Sequence, residues 1–314
     1  MRILPRVVPA ALAGMLVVFA PLLTPGAAPA PTATAAPAPG SSQGQLPFPF
    51  AMQPDGVRAA SAALAEANTG LLLWSRQPTA RVPIASITKV MTAVVVLESG
   101  DLDRPVTVTR AALDYAASEG GSTANLSSGE VLTGRQLLYA MMLPSGCEAA
   151  YALAEAYGPG QQGFLAKMND TARRLGMADT HFADPSGLPI PDDYATWSTA
   201  ADLVRLARHA MSIPLFRQIV AIPVHHEPAG PTHKAFTWEN TNDLLGRYPG
   251  IAGIKTGNTD AAGTCLLFEA SRGGQRLIGV VLNSSPWDMD AATADAERLM
   301  NWGFVPILSG LPIG

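Results

Sequence analysis

Short apolar stretches near the two ends of the chain have the pattern of β-hairpins. Residues 61–67 and 71–75 flank Asn68-Thr69-Gly70, where Asn and Gly supply the positive φ that a hairpin loop requires. Residues 264–271 and 275–283 flank two glycines in the same way. The sequence therefore predicts strands at both ends of the folded chain.

Between these hairpins the apolar residues recur at spacings of three and four, which is typical of helices. Helices are predicted over residues 87–98, 135–142, 148–157, 162–175 and 200–211, with a last one over 290–301. Thr199, followed three residues later by Asp202, resembles a capping box. This order predicts an α+β fold, in which one antiparallel sheet is assembled from both chain ends and a helical lobe is inserted between them. The functional site is expected in the cleft between sheet and lobe.

The first thirty residues are typical of a targeting segment. Residues 1–30 contain two arginines, an apolar run and then small residues, which predicts a secretory signal peptide. Residues 31–57 are rich in Pro and Ala and predict a tether, residues 58–308 the folded domain, and residues 309–314 a tail. We therefore expect an exported protein, with an uncleaved N-terminal anchor as the alternative.

Composition excludes several classes of protein. A net charge of −4 and a pI of about 5.7 argue against nucleic-acid binding, because that surface needs clustered Lys and Arg. The five histidines show no metal-binding spacing, so no metal or other cofactor is expected. Cys147 and Cys265 allow at most one disulfide, and two buried thiols are the favoured interpretation.

The first candidate for catalysis is Ser86-Ile87-Thr88-Lys89, which leads into the first predicted helix. A serine at a helix start lies beside free backbone N–H groups that favour a developing oxyanion. Lys89 lies on the same face and could serve as its general base. This spacing is frequent by chance, and the alternative is a capping serine with a solvated lysine.

Two further segments extend this candidate site. Ser145-Gly146-Cys147 lies between two predicted helices, where a hydroxyl can pass a proton towards a leaving group. Lys255-Thr256-Gly257-Asn258 precedes the final hairpin on a predicted edge strand. A twist or bulge is needed there to bring the lysine and threonine heads to one side, and Gly257 would permit close approach of a ligand backbone.

The three segments occur in the order found in penicillin-binding proteins and class A β-lactamases. Over almost all of residues 58–305 the chain resembles the D-alanyl-D-alanine carboxypeptidases among the low-molecular-weight penicillin-binding proteins. The segments that carry the resemblance further are 184–188, 240–245, 255–263 and 301–304. The resemblance implies a β-lactamase/transpeptidase-like fold, a peptidoglycan stem peptide ending in D-Ala-D-Ala as substrate, and β-lactam antibiotics as covalent inhibitors.

Residue roles also follow from the resemblance. It implies Ser86 as nucleophile, Lys89 as base and Ser145 as proton relay. Substrate binding would fall to Cys147, Lys255, Thr256, Gly257 and Asn258. The backbone N–H groups of Ser86 and Asn258 would form the oxyanion hole, each contributing about 3 kcal/mol in comparable acyl-transfer sites.

Two departures from the family pattern stand out. Cys147 replaces the usual Asn, and residues 290–293 lack an Arg that relatives often place near the carboxylate site. These departures support the alternative of a catalytically inert peptidoglycan-binding homologue. A β-lactamase is a second alternative, because it shares the fold and the nucleophile, and transpeptidase or endopeptidase activity is not separated by sequence. Any membrane attachment would come from the N-terminal segment or from peripheral surface contact, and release into the cell-wall space is the expectation.

Overall fold

The computed structural model describes residues 53–304, which form one long antiparallel sheet, three short strand pairs and eight helices. The strands are β1 (Ser61–Glu66), β2 (Leu72–Arg76), β3 (Val82–Pro83), β4 (Pro105–Thr107), β5 (Val131–Thr133), β6 (Trp197–Ser198), β7 (Val224–Glu227), β8 (Phe236–Glu239), β9 (Ile251–Thr259), β10 (Gly263–Arg272) and β11 (Gln275–Leu282). The helices are α1 (Lys89–Ser99), α2 (Arg110–Ser118), α3 (Gly134–Met142), α4 (Cys147–Tyr157), α5 (Gly160–Arg174), α6 (Ala200–Ser212), α7 (Pro214–Val220) and α8 (Met289–Gly303).

The five-stranded sheet combines both ends of the described chain, as predicted. Its strand order is β2-β1-β11-β10-β9, so the first hairpin lies directly beside the last one. Ser61 pairs with Leu282 and Glu66 with Leu277, in antiparallel register. The strand β9, which carries the Lys255 segment, forms one edge of this sheet.

Helices cover both faces of the sheet, because its strands are apolar on both faces. On one face α8 packs Ala292, Ala296 and Leu299 into a cluster with Leu64 and Phe268. On the other face lies the larger core, which includes most of α1 and the lobe helices. Helix α1 is buried over eight successive residues from its start, which makes it the central helix of the molecule.

The structure adds elements that the sequence pattern did not indicate. Helix α2 buries only two alanines, and α7 has seven residues beginning at Pro214. Neither presents the long apolar stripe on which a helix prediction depends. The three short strand pairs are likewise additions.

Thr199 caps α6 as predicted, since its side chain accepts a hydrogen bond from the N–H of Asp202 at 3.1 Å. The Asp202 carboxylate bonds Asp179 and Thr180 instead of returning to the cap, so the resemblance to a capping box was only half right.

The folded part begins before the predicted boundary at Arg58. Pro54 and Val57 are already buried, so the last residues of the predicted tether belong to the packed structure. The predicted signal peptide, the rest of the tether and the tail at 309–314 lie outside the described residues. Within residues 53–304, no helix is both long and apolar enough to cross a membrane.

Candidate active site

Ser86 lies on a tight turn that enters the central helix. Residues Ala85–Thr88 form one 3₁₀ turn, and α1 begins at Lys89. Neither this turn nor α1 is capped by a side-chain hydrogen bond, so the alternative in which Ser86 serves as a helix cap is wrong. Ala85 has a φ of 46°, a strained conformation for a residue with a Cβ atom and one that concentrates at functional sites.

Lys89 is fully buried and lies beside the Ser86 hydroxyl, so it is not the solvated lysine of the alternative interpretation. Its Nζ is 2.8 Å from Ser86 Oγ, while Ser86 itself is partly exposed. The same Nζ lies 3.0 Å from the backbone carbonyl oxygen of Ser186 and 3.4 Å from Cys147 Sγ. A buried amine and an accessible hydroxyl are therefore held at the distance that proton transfer requires.

Ser145 lies in a strained turn immediately before α4. Its φ is 66°, the residue is 4% exposed, and its Oγ has no hydrogen-bond partner within the part of the chain that the structure describes. Cys147 begins α4 two residues later and is buried against Ala116 and Leu188. Both cysteines are free and buried, as predicted.

The edge strand β9 contains a bulge, which lies before Lys255 and not between Lys255 and Thr256. Ile254 pairs with Phe268, but Ile251 pairs with Ala270, so β9 has one extra residue between them. Gly253 lies in this bulge with a φ of 114°. The bulge reorients the strand directly before Lys255.

The bulge is accompanied by a close approach of the lysine and threonine heads. Lys255 Nζ lies 3.2 Å from the Thr256 carbonyl oxygen and 3.5 Å from Thr256 Oγ1. Thr256 Oγ1 is also 2.6 Å from the hydroxyl of Thr241. Burial is the main reason that the pKa of Lys255 lies well below its ordinary value, and the charge of Lys89 lowers it further, while Cys147 opposes the shift.

Gly257 allows β9 to approach the nucleophile turn. A Cβ atom at this position would lie 3.1 Å from both the Ile84 carbonyl oxygen and the Ser86 nitrogen. The protein's own backbone comes close to this glycine, and the approach of a ligand backbone at Gly257 stays a prediction. The Ser86 N–H is brought to the edge of β9 by this contact.

The backbone of Asn258 faces the open edge of the sheet. Thr264, its partner in the register, donates its N–H to Ser285 at 2.7 Å and accepts from the N–H of Ser284 at 3.0 Å. Since Thr264 uses both of its groups on that side, Asn258 belongs to a non-hydrogen-bonded pair and directs its own N–H outward. The Asn258 N–H therefore points away from β10, one residue after the glycine that lies against the Ser86 nitrogen.

No arginine from α8 joins the Lys255 segment. Arg298 instead pairs with Asp295 at 3.1 Å and lies beside Gly56 at the other end of the described chain. Among the described residues, there is also no cluster of three or more His, Cys, Asp or Glu that could hold a metal ion.

The sequence did not reveal a buried polar network next to Lys89. Tyr115 Oη donates to Asp184 at 2.6 Å, and Asp184 in turn accepts from the backbone around Ser186. A signal was present in Asp184-Pro185-Ser186-Gly187, since an Asp followed by such residues favours a turn closed by its own carboxylate. Tyr115 gave no comparable signal.

Comparison with known proteins gives one consistent result. Residues 49–286 match the family model for D-alanyl-D-alanine carboxypeptidase. A D-alanyl-D-alanine carboxypeptidase from a Streptomyces species is 41% identical over 249 residues, which cover 76% of this chain and 84% of the relative. A carboxypeptidase of the same name from Mycobacterium tuberculosis is 38% identical, over 80% of this chain and 84% of the relative.

Solved structures agree with the sequence matches. The crystal structure of a Streptomyces DD-transpeptidase superposes with a TM-score of 0.74 at 39% identity, covering 79% of this chain and 97% of that one. The D-alanyl-D-alanine carboxypeptidase of Mycobacterium tuberculosis superposes with a TM-score of 0.71 at 35% identity, covering 81% and 96%. The predicted α+β fold of the β-lactamase/transpeptidase type is therefore confirmed.

Proposed function

The chain belongs to the D-alanyl-D-alanine carboxypeptidase family, and from this premise we propose that Ser86 is its nucleophile. Enzymes of this family are serine hydrolases that act on peptidoglycan, so the reaction needs an activated hydroxyl in an accessible cleft. The observation that carries the assignment is the 2.8 Å contact between Ser86 Oγ and the buried Nζ of Lys89. No histidine makes a hydrogen bond to Ser86 among the described residues, which leaves Lys89 as the base.

The order of steps follows from the positions of these groups. Lys89 takes the proton of Ser86 as Oγ attacks the carbonyl carbon of the penultimate D-alanine. The N–H groups of Ser86 and Asn258 stabilise the oxyanion, and the terminal D-alanine leaves with a proton relayed through Ser145. Water then hydrolyses the acyl-enzyme. The unpartnered Oγ of Ser145 suits this role, because it is free to bond the leaving amine.

The carboxylate of the terminal D-alanine would bind at Lys255 and Thr256. Lys255 is a buried amine, and a ligand carboxylate would supply the charge partner that stabilises its protonated form. The Thr256 hydroxyl is held by Thr241 and lies within reach of the same ligand. Cys147 and Gly257 line the substrate channel in this proposal. The absence of Arg298 from this position predicts weaker carboxylate binding than in relatives that have an arginine there.

A β-lactamase function is disfavoured, because the chain lacks the residue that would release penicillin. Penicillin should therefore acylate Ser86 and remain bound. Class A β-lactamases deacylate through a Glu in a loop beside the nucleophile. The corresponding loop of this chain contains Asp192 and Asp193, which are both exposed. An inert peptidoglycan-binding role is disfavoured as well, since Ser86, Lys89 and Ser145 all remain in place.

The N-terminal sequence supports an exported enzyme that acts in the cell-wall space. The basic, apolar and small-residue regions of residues 1–30 have the order of a cleaved signal peptide. Release from the cell, with at most peripheral contact with a membrane, follows from that cleavage. The intact mass of the protein recovered from the culture medium tests this proposal, and a mass that retains the first thirty residues would contradict it.

A labelled penicillin and a D-Ala-D-Ala pentapeptide together test the catalytic assignment. The wild-type protein should form a stable adduct on the peptide that contains Ser86, and it should release D-alanine unless penicillin is added first. Ser86→Ala should lose both activities, whereas Ser212→Ala, at the exposed end of α6, should retain them. The solved Streptomyces relative is named a transpeptidase, so transfer should be measured as well. In the presence of an acceptor amine, the ratio of transfer product to hydrolysis product measures the two activities against each other.

Three results would contradict the assignment. An adduct on another residue would remove Ser86 from its role. Rapid turnover of penicillin without an adduct would indicate a β-lactamase. A wild-type protein that neither reacts with penicillin nor releases D-alanine would be the inert homologue.

A further inference from the structure

The geometry of a lysine base requires more than closeness to its serine. A neutral amine has one lone pair and two N–H groups, so the lone pair faces Ser86 Oγ only if the N–H groups find acceptors elsewhere. Within the described residues, the other acceptors of Lys89 Nζ are Cys147 Sγ at 3.4 Å and the Ser186 carbonyl oxygen at 3.0 Å. Sulfur is a weak acceptor, so the Ser186 carbonyl is the stronger of the two.

Asp184 fixes this carbonyl by closing a turn around its own carboxylate. Its Oδ1 accepts from the backbone N–H groups of Ser186, Gly187 and Leu188 at 2.8, 2.6 and 3.0 Å, and from the Ser186 hydroxyl at 3.0 Å. Asp184 as a whole is 2% exposed. Three convergent backbone bonds to one buried oxygen leave the Ser186 peptide little freedom to rotate.

Tyr115 supplies the bond that holds the other oxygen of this carboxylate. Its Oη, on α2, donates to Asp184 Oδ2 at 2.6 Å and lies 2.6 Å from Ser186 Oγ. Burial, followed by the charge of Asp184, raises the pKa of Tyr115 well above its ordinary value of 10.0. The hydroxyl therefore keeps its proton, and remains a donor, throughout the range in which the enzyme would act.

The turn is also attached directly to the helix that carries Lys89. Thr92, which lies three residues after Lys89 on α1, donates its hydroxyl to the Pro185 carbonyl at 2.6 Å. Gly187, on the other side of Ser186, lies against the Ala85 carbonyl that precedes the nucleophile. Movement of the turn would thus be transmitted to both members of the Ser86–Lys89 pair.

We infer that Tyr115 and Asp184 are positioning residues that aim the amine of Lys89 at Ser86 through the Ser186 carbonyl. The inference rests on the proposed function, since it assumes that Lys89 is the base. It also limits the demand on Cys147, because the stronger acceptor for the amine is the Ser186 carbonyl, which the Tyr115–Asp184 pair holds in place.

Tyr115→Phe tests the inference, because it removes the hydroxyl and keeps the ring. The matched control is Tyr151→Phe, since the Tyr151 ring lies 4.9 Å from that of Tyr115 but its hydroxyl is outside the network. The measurements are the dissociation constant of the initial penicillin complex, the maximal rate of acylation and the melting temperature. We expect the maximal acylation rate to fall about tenfold in Tyr115→Phe only, with an unchanged dissociation constant.

Asp184 provides the second variant, in case Tyr115→Phe is unstable. Asp184→Asn keeps one oxygen for the three backbone N–H groups and should retain much of the acylation rate, whereas Asp184→Ala should lose it. A Tyr115→Phe protein that acylates at the wild-type rate, or a loss of equal size in Tyr151→Phe, would overturn the inference and leave the proposed function intact. A wild-type protein that forms no adduct on Ser86 would overturn both.

Discussion

Lys255 is an amine that the fold holds out of water, and among the described residues no carboxylate pairs with it. It is 1% exposed, and within residues 53–304 the hydrogen bonds of its Nζ go to oxygens of Thr256. Burying a charge in this way costs free energy unless a partner compensates it. We interpret this cost as the stability given up to keep a binding site ready for the carboxylate of the substrate.

The free-energy cost of burying Lys255 should depend on pH. Because the pKa of Lys255 is lowered from 10.5 in the folded state, the unfolded chain binds more protons in the window between the two pKa values. The free energy of unfolding of the wild-type protein should therefore rise with pH across that window. Lys255→Met should be more stable than wild type at neutral pH by about 1 to 3 kcal/mol, and this advantage should shrink as the pH rises towards 10.5.

Urea unfolding between pH 6 and pH 10 measures this difference. The matched control is Lys234→Met, because Lys234 is exposed and its replacement should shift stability by a constant amount. A Lys255→Met advantage that stays the same at every pH would show that burial does not perturb this lysine.

Individual site residues differed in how far the sequence revealed them. Ser86, Lys89 and Lys255 belong to short segments whose spacing already indicated chemistry. In the structure Lys89 contacts Ser86, and the strand that carries Lys255 approaches the turn of Ser86 at Gly257. Tyr115 and Asp184 are 69 residues apart and meet only in the folded chain. Contacts of this kind depend on tertiary packing, which spacing along one sequence does not encode.

At the scale of elements, the turn that follows Asp184 needs a glycine for two separate reasons: a positive φ and a close approach to Ala85. Gly187 has a φ of 84°, and a Cβ atom there would overlap the carbonyl group of Ala85. Gly176 has a similar φ of 71° but no atom within 4 Å of the same position. Comparison of these two glycines therefore separates backbone strain from the close approach of turn and nucleophile.

We expect Gly176→Ala to cost about 1 to 2 kcal/mol of unfolding free energy, which is the strain of a left-handed residue. Gly187→Ala should cost about 2 to 5 kcal/mol, because overpacking adds to the same strain. It should also slow penicillin acylation, since the turn is pushed away from Ala85. Urea unfolding and acylation kinetics measure the two effects, and equal behaviour of the two variants would rule out a role for the close approach.

The hairpins and the long helices could be predicted because their periodicity reflects burial on one face. The missed helices were the short α7 and the alanine-lined α2, whose apolar faces are too small to stand out. A twist or bulge in β9 was expected as a way to bring the Lys255 and Thr256 heads together, whereas the observed bulge lies before both residues. Its position at Gly253 depended on the register with β10, and sequence alone gives no register.

At the scale of the whole molecule, the fold depends on the meeting of the two ends of the described chain. β1 lies between β2 and β11, so the central part of the sheet joins residues more than two hundred positions apart. Strands at both ends with helices between them made this arrangement predictable. The hydrogen bonds that join the start of the described chain to α8 were not predictable, because they depend on a single buried carboxylate on the apolar face of that helix.

That carboxylate belongs to Asp295, which is fully buried. It accepts from the backbone N–H groups of Arg58 and Ala59 at 2.8 to 3.0 Å and pairs with Arg298 at 3.1 Å. Asp295→Ala leaves these donors without a partner at the point where the chain enters β1. We expect a loss of about 3 kcal/mol of unfolding free energy, whereas Asp260→Ala, in an exposed turn, should change it by less than about 0.5 kcal/mol.

The way in which Asp295→Ala unfolds tests whether sheet and lobe depend on each other. Since β1 completes the sheet on which the helices of the lobe are packed, loosening the chain ends should lower the stability of the whole domain and not only of its edge. Far-ultraviolet circular dichroism and the capacity to form the Ser86 adduct should then be lost at the same urea concentration, lower than in wild type. An adduct that still forms after much of the circular dichroism signal has disappeared would show that the active site folds independently of the joined ends.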